Sequence, residues 1–236
     1  MFPTRPFAVL GLLLAVGLVL FGTQISRALK KGKDFERYLS VRGLSEREVK
    51  ANQAIWPIHF ANLANDLNTL KESMQRDRLK VFSYLQEQGI ATNEISIGLP
   101  VVLDRIDQKV QADYASLLRY KGTTSLVVRS PDVEKVKTAI QHAELLLERG
   151  ISLTEGEGAY RPQFLFTEVN DTKPDMIREA TANARKSAER FAQDSQTRVG
   201  AIRRATQGIL EIEDRDPASP ERKLLRVVTT VEFFME

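Results

Sequence analysis

Cysteine is absent from the 236-residue chain and histidine occurs only twice. The chain therefore cannot form disulfides, thiolate metal sites or a cysteine nucleophile, and two imidazoles leave almost no material for a His-ligated metal. Charge is also missing from one region: residues 1–25 carry a single charged side chain, Arg5, while everything after Ser26 is charge-rich. Overall, 34 Lys and Arg stand against 31 Asp and Glu, a net charge of +3. That balance is too even to imply a nucleic-acid partner, despite an isoelectric point near 9.1. Basic residues are interleaved with acids and no aromatic–basic platform occurs, so no nucleic-acid partner is expected. The length suits one domain, or two small ones, with a real core.

From residue 7 to 22 the chain reads FAVLGLLLAVGLVLFG, without charge. Extended to Ile25, the run makes a helix of roughly 28 Å at about 1.5 Å per residue, close to a hydrocarbon core of about 30 Å. Residues 1–33 are therefore read as a membrane anchor with a basic juxtamembrane segment, contacting lipid through residues 7–25. Residues 34–236 are read as the folded domain. A cleaved leader is the competing reading, because Arg5 supplies a basic start. The only rough cleavage match is Ser26-Arg27-Ala28, which has Arg at the intervening position. Arg27, Lys30, Lys31 and Lys33 follow the run, and counted simply they would retain the C-terminal part in the cytoplasm.

Beyond the anchor the pattern is mixed. Residues 37–43 and 49–60 read as strands joined through Gly43-Leu44-Ser45-Glu46, a pair expected to form a hairpin; Pro57 argues for an edge or bulge. Residues 62–88 form the clearest helix. Leu63, Leu67, Leu70, Met74, Val81 and Leu85 line one face, Asn62 or Asn65 caps the start, and Gly89 stops it. A strand in strict alternation follows from Ile95 to Leu103. Residues 104–113 read as a loop, and residues 114–120 and 123–129 as strand. Ser130-Pro131-Asp132 opens a second helix with the stripe Val133, Val136, Ile140, Ala143 and Leu147, ending at Gly150. Residues 151–154 and 163–169 read as strands around a Gly-rich turn. A third helix over residues 173–193 presents a narrow Ala-rich face, with Thr172 and Asp175 at its start. Two strands close the chain, residues 198–213 interrupted at Gly208, and residues 224–234, apolar on both faces as a central strand is. The order β-β-α-β-β-α-β-α-β-β predicts an α+β fold of antiparallel sheets with helices packed on them, preceded by one transmembrane helix.

Candidate chemistry is sparse. Gly156 and Gly158 lack the Lys-Ser/Thr or third Gly of a phosphate loop, and Glu155 and Glu157 would repel phosphate. Glu211, Glu213, Asp214 and Asp216 lack the spacing, central Gly and closing Glu of a calcium loop. His59 and His142 have no triad-like neighbours. No catalytic, cofactor-binding or metal-binding residues are expected, and no cofactor.

Residues 180–200, ATANARKSAERFAQDSQTRVG, are similar to the Ala-Arg-rich helix and Gly-containing strand of the SIMPL-domain family, bacterial envelope proteins of unknown function. Where that family usually reads Asp-Ala-Arg-x-Lys-Ala-Glu, this chain has Asn183-Ala184-Arg185-Lys186-Ser187-Ala188-Glu189. Val41-Arg42-Gly43, Gly89-Ile90, Tyr120 leading to Ser125-Leu126-Val127-Val128, the helix opening at residues 130–136 and the apolar last strand also fit. The family's early Pro-Asp appears as Asn52-Gln53. The resemblance covers residues 36–236. It implies an α+β domain, export across the inner membrane, homo-oligomers in some members, and no accepted enzymatic activity. Arg185 and Glu189, four apart on a helix, are expected to pair at its surface. Against the charge count, the resemblance places the C-terminal domain in the periplasm behind a single inner-membrane span.

The leading expectation is thus a non-enzymatic, membrane-anchored envelope protein that self-associates or binds a protein partner. The alternative is a small-molecule or lipid-binding module with a cleft between sheet and Ala-rich helix.

Overall fold

The computed structural model describes residues 17–19, 21–23, 37–105, 118–154 and 161–236. Its strands are β1 (Tyr38–Lys50), β2 (Gln53–Ala64), β3 (Ile95–Ile97), β4 (Val101–Asp104), β5 (Tyr120–Ser130), β6 (Gln163–Leu165), β7 (Val199–Asp214) and β8 (Arg222–Met235). Its helices are α1 (Leu67–Glu87), α2 (Val133–Gln141), α3 (Glu144–Glu148) and α4 (Val169–Asp194). One sheet runs β1-β8-β7; the other runs β3-β5-β2-β6, with β4 also paired to β5. The architecture is α+β with antiparallel sheets.

The described residues form two compact units. One gathers those up to Arg47 with Asn170–Glu211 and Leu225–Glu236; the other holds Glu48–Val169 and Ile212–Leu224. In the first, α4 lies on its sheet through Met176, Ala180, Ala184, Ala188 and Ala192, a strict four-residue spacing that lines one helical face. Ala184 and Ala188 pack with Val231 and Phe233, flanked by Leu39, Val41 and Val199. Four alanines in five positions let backbones approach closely. Gly43 completes that approach: a Cβ there would stand 1.8 Å from the Ala180 carbonyl oxygen and 2.5 Å from the Ala184 nitrogen.

In the second unit, β2 and β5 pair antiparallel, with Trp56 opposite Val128, Ile58 opposite Leu126 and Phe60 opposite Thr124. These residues are buried with Val81, Tyr84 and Leu85 of α1 and Val133, Val136 and Ala139 of α2. Both α1 and α3 end in the same cap. Gly89 and Gly150 sit at φ +79°, and Ile90 and Ile151 donate back to the carbonyls of Leu85 and Leu146 at 3.0 and 2.9 Å. This is the Schellman arrangement, in which a left-handed glycine turns the chain and an apolar residue re-enters the core.

Several expectations are corrected. β1 and β2 are not a hairpin but belong to different sheets, because β1 runs through Gly43, whose missing side chain serves close packing rather than a turn. Asp66 caps α1, accepting from the Thr69 amide at 2.9 Å, while Asn62 lies within β2. Leu63 and Leu67 are exposed, and Tyr84 takes a buried place that the expected stripe omitted. The strand predicted from Ile95 to Leu103 breaks at Gly98-Leu99-Pro100 into β3 and β4; proline cannot donate to the ladder. Residues 151–154 contribute only a bridge from Leu153 to Phe60. The helix after Ser130 divides into α2 and α3 at His142-Ala143, and its cap is Asp132. β7 continues through Gly208, where a Cβ would stand 2.1 Å from the Val228 carbonyl oxygen. The last strand is central, as expected.

The apolar run at residues 7–25 lies outside the described residues except for 17–19 and 21–23, which are helical with Leu18, Val19 and Phe21 exposed. Among the described residues no helix is long and apolar enough to cross a membrane. The Gly156/Gly158 turn and most of the loop at 104–113 also lie outside them.

Candidate functional site

A groove of about 330 Å³ opens between α1 and the β3–β4 segment, within the second unit. Leu67, Leu70, Met74, Ile97, Pro100 and Val102 make it mostly apolar, Lys71, Gln75 and Arg78 come from α1, and Gly98 and Thr124 complete it. The sequence builds it in two ways. Leu99-Pro100 interrupts pairing with β5, so Ile97 and Val102 remain about half exposed instead of joining the core. Gly122, on the same face of β5 as Thr124, leaves room for the Met74 sulfur, which a Cβ would approach at 2.3 Å. The Thr124 side chain is 4% exposed and its hydroxyl has no hydrogen-bond partner. A buried unpaired hydroxyl costs about 1–3 kcal/mol, so it marks a place where a polar group is wanted. Sequence reasoning missed this site; the only signal was Gly122-Thr123-Thr124 ahead of the apolar Leu126-Val127-Val128 in β5.

A second exposed feature is β7. Among the described residues it pairs only with β8, and residues 201–207 are exposed without a break. Ile202 and Ile209 face solvent, Ile209 at 83% exposure.

The residues weighed for chemistry are held in ordinary contacts. Asp214 pairs with Lys223, and Asp216 with Arg215 at 2.7 Å, so half the acidic cluster is neutralised by neighbouring cations. The Arg215 guanidinium also holds the Asp216 carboxyl below its usual value. Glu48 is held low in the same way by Arg222 and Arg215, at 2.8 and 3.0 Å. His59 lies on β2, where burial pushes its imidazole down. His142 caps α2, with Nδ1 3.4 Å from the Gln88 amide oxygen. No cluster of three metal-ligating side chains occurs among the described residues. Arg185 does not pair with Glu189 but lies over the Phe233 ring, 5.0 Å from its centre. The expected cleft beneath the Ala-rich helix is closed, because its five inward residues are all nearly or fully buried.

The motif residues meet in space. Asn183 donates to the Leu44 carbonyl at 2.9 Å, Ala184 abuts Gly43, and Arg185 covers Phe233. The family described as SIMPL, protein of unknown function (DUF541), matches residues 39–228. The chain belongs to the SIMPL family. Its most recognisable residues thus do structural work, seating α4 on β1 and β8. No curated protein matches the SIMPL chain. Among solved structures it is similar to a crystal structure of an amidase of the hydantoinase/carbamoylase family from Burkholderia phymatum. The identity is 11%, the TM-score 0.28, and the match covers 59% of this chain and 35% of that one. A likeness that weak carries no argument about fold or activity.

Proposed function

We propose that this SIMPL protein is a non-enzymatic, membrane-anchored envelope protein whose domain self-associates by pairing along β7. The observation that carries the reading is the strand itself. Sixteen residues long, among the described residues it is paired on one side only, and the backbone groups of its other side are a template for another chain. Natural proteins usually shorten, bend or cover such an edge. Exposed Ile202 and Ile209 add apolar area that a second strand would remove from water. Arg203, Arg204, Glu211 and Glu213 lie on the same strand, so antiparallel pairing of two copies can bring opposite charges together. Anchoring rests on the uncharged run at residues 7–25.

Because the chain has no cysteine, Ile209→Cys gives a single reactive thiol. Mild oxidation of that full-length variant in membranes should yield a disulfide-linked dimer. Leu79→Cys, on exposed α1 (62% exposed), should stay monomeric on the same gel. Light scattering that finds only monomer at every concentration, with no I209C dimer, sinks the reading.

A further inference from the structure

We propose that the groove between α1 and β3–β4 binds a single-chain anionic amphiphile, an apolar tail carrying a carboxylate-like head. This site is independent of the β7 edge, and either reading can fail alone. The groove's volume of about 330 Å³ lies at the lower end of the roughly 300–1,000 Å³ that small-molecule sites span. It therefore suits one short chain and not the two chains of a phospholipid. Leu67, Leu70, Ile97 and Val102 supply an apolar wall, and two of them, Leu67 and Ile97, are more than half exposed.

Three polar groups define the head. The Thr124 hydroxyl, nine-tenths buried and unpartnered, can donate to a head-group oxygen. Lys71 and Arg78 lie seven residues apart, on the same side of α1, and both line the groove. Neither has an ion-pair partner among the described residues, although other cations on α1 do: Lys80 pairs with Asp77 at 3.5 Å. Among the described residues no acidic side chain lines the groove. A donor, two free cations and no carboxylate select an anion over a neutral or cationic head.

The test uses the full chain in lipid nanodiscs and a decanoate analogue bearing a photoreactive diazirine in its tail. Mass mapping should find the label in peptides covering residues 67–78 or 96–103. Decanoate should compete at about tenfold lower concentration than decanol, the size of one charge-assisted hydrogen bond. Thr124→Val keeps the shape and removes the donor. Together with Lys71→Glu it should abolish the advantage of decanoate, while the melting temperature does not fall below that of the parent, because the unpaired buried hydroxyl is gone. Label absent from those peptides, equal competition by decanoate and decanol, or selectivity unchanged in the variants would each overturn the proposal. So would occupancy of the groove by a peptide from another chain, seen as a cross-linked peptide pair.

Discussion

A methyl group at residue 43 has nowhere to go. The Cβ of Gly43→Ala would stand 1.8 Å from the Ala180 carbonyl oxygen, and the atoms it meets are helix backbone that cannot swing aside. Either β1 or α4 must shift, and overpacking of this kind costs about 1–3 kcal/mol or more. G43A is therefore expected to lower the melting temperature by several degrees, read by circular dichroism. An unchanged melt would mean α4 does not sit on β1 as described. Tyr84 is decisive in a different way. Fully buried, it donates to the Ala139 carbonyl at 2.5 Å, and burial pushes its phenol up to about 12 against the opposing pull of Arg149. In the unfolded chain it titrates near 10. Between those values the unfolded state loses the proton first, so stability falls as pH rises from about 10 to about 12. Tyr84→Phe should lack that alkaline loss, measured as melting temperature against pH. It should also be less stable than the parent at pH 7, because the Ala139 carbonyl loses its partner.

Elements were legible in the sequence where a local rule decides them. Gly89 and Gly150 end helices because a left-handed residue must, and both do so at φ +79°. The last strand was legible as central because it is apolar on both faces at several positions. What failed was the meaning of a glycine or proline that serves a distant neighbour. Gly43 and Gly208 each look like a break along the chain, yet both lie inside long strands, against Ala180 and Val228 respectively. The groove was invisible for the same reason: the alternation from Ile95 to Leu103 reads as one continuous strand, and only the third dimension leaves Leu99 85% exposed. Gly208→Val puts side-chain atoms into the β8 backbone, since even a Cβ would lie 2.1 Å from the Val228 carbonyl. Amide hydrogen exchange along β7 should accelerate in that variant while α1 keeps its protection. Gly200→Ala, whose nearest neighbour is the Glu236 carboxylate at 2.9 Å, should change little. Equal exchange in the two variants would mean that Gly208 is not pressed against β8.

For the whole molecule, the proposed anchor raises a choice of membrane side for the domain, and two signals point opposite ways. Arg27, Lys30, Lys31 and Lys33 follow the apolar run, against Arg5 before it, and basic residues favour the cytoplasmic side. Membership of the SIMPL family over residues 39–228 supplies the likeness on which the export reading rests. The absence of cysteine fits either side, since no disulfide depends on an oxidising compartment. The conflict can be resolved by titrating the weaker signal. Alkaline phosphatase fused after Glu236 is active only when exported, so the parent chain should show activity. Replacing Arg27, Lys30, Lys31 and Lys33 with glutamine removes the opposing charge and should raise the exported fraction. Adding lysines beside Arg5 should raise it further, because the charge difference across the span sets orientation. A parent fusion inactive as phosphatase, yet fluorescent when a cytoplasm-only reporter replaces it, would overturn the export reading and leave the SIMPL domain on the cytoplasmic face. The β7 and groove proposals would survive that result unchanged, because both rest on side chains and backbone within residues 67–214, not on compartment.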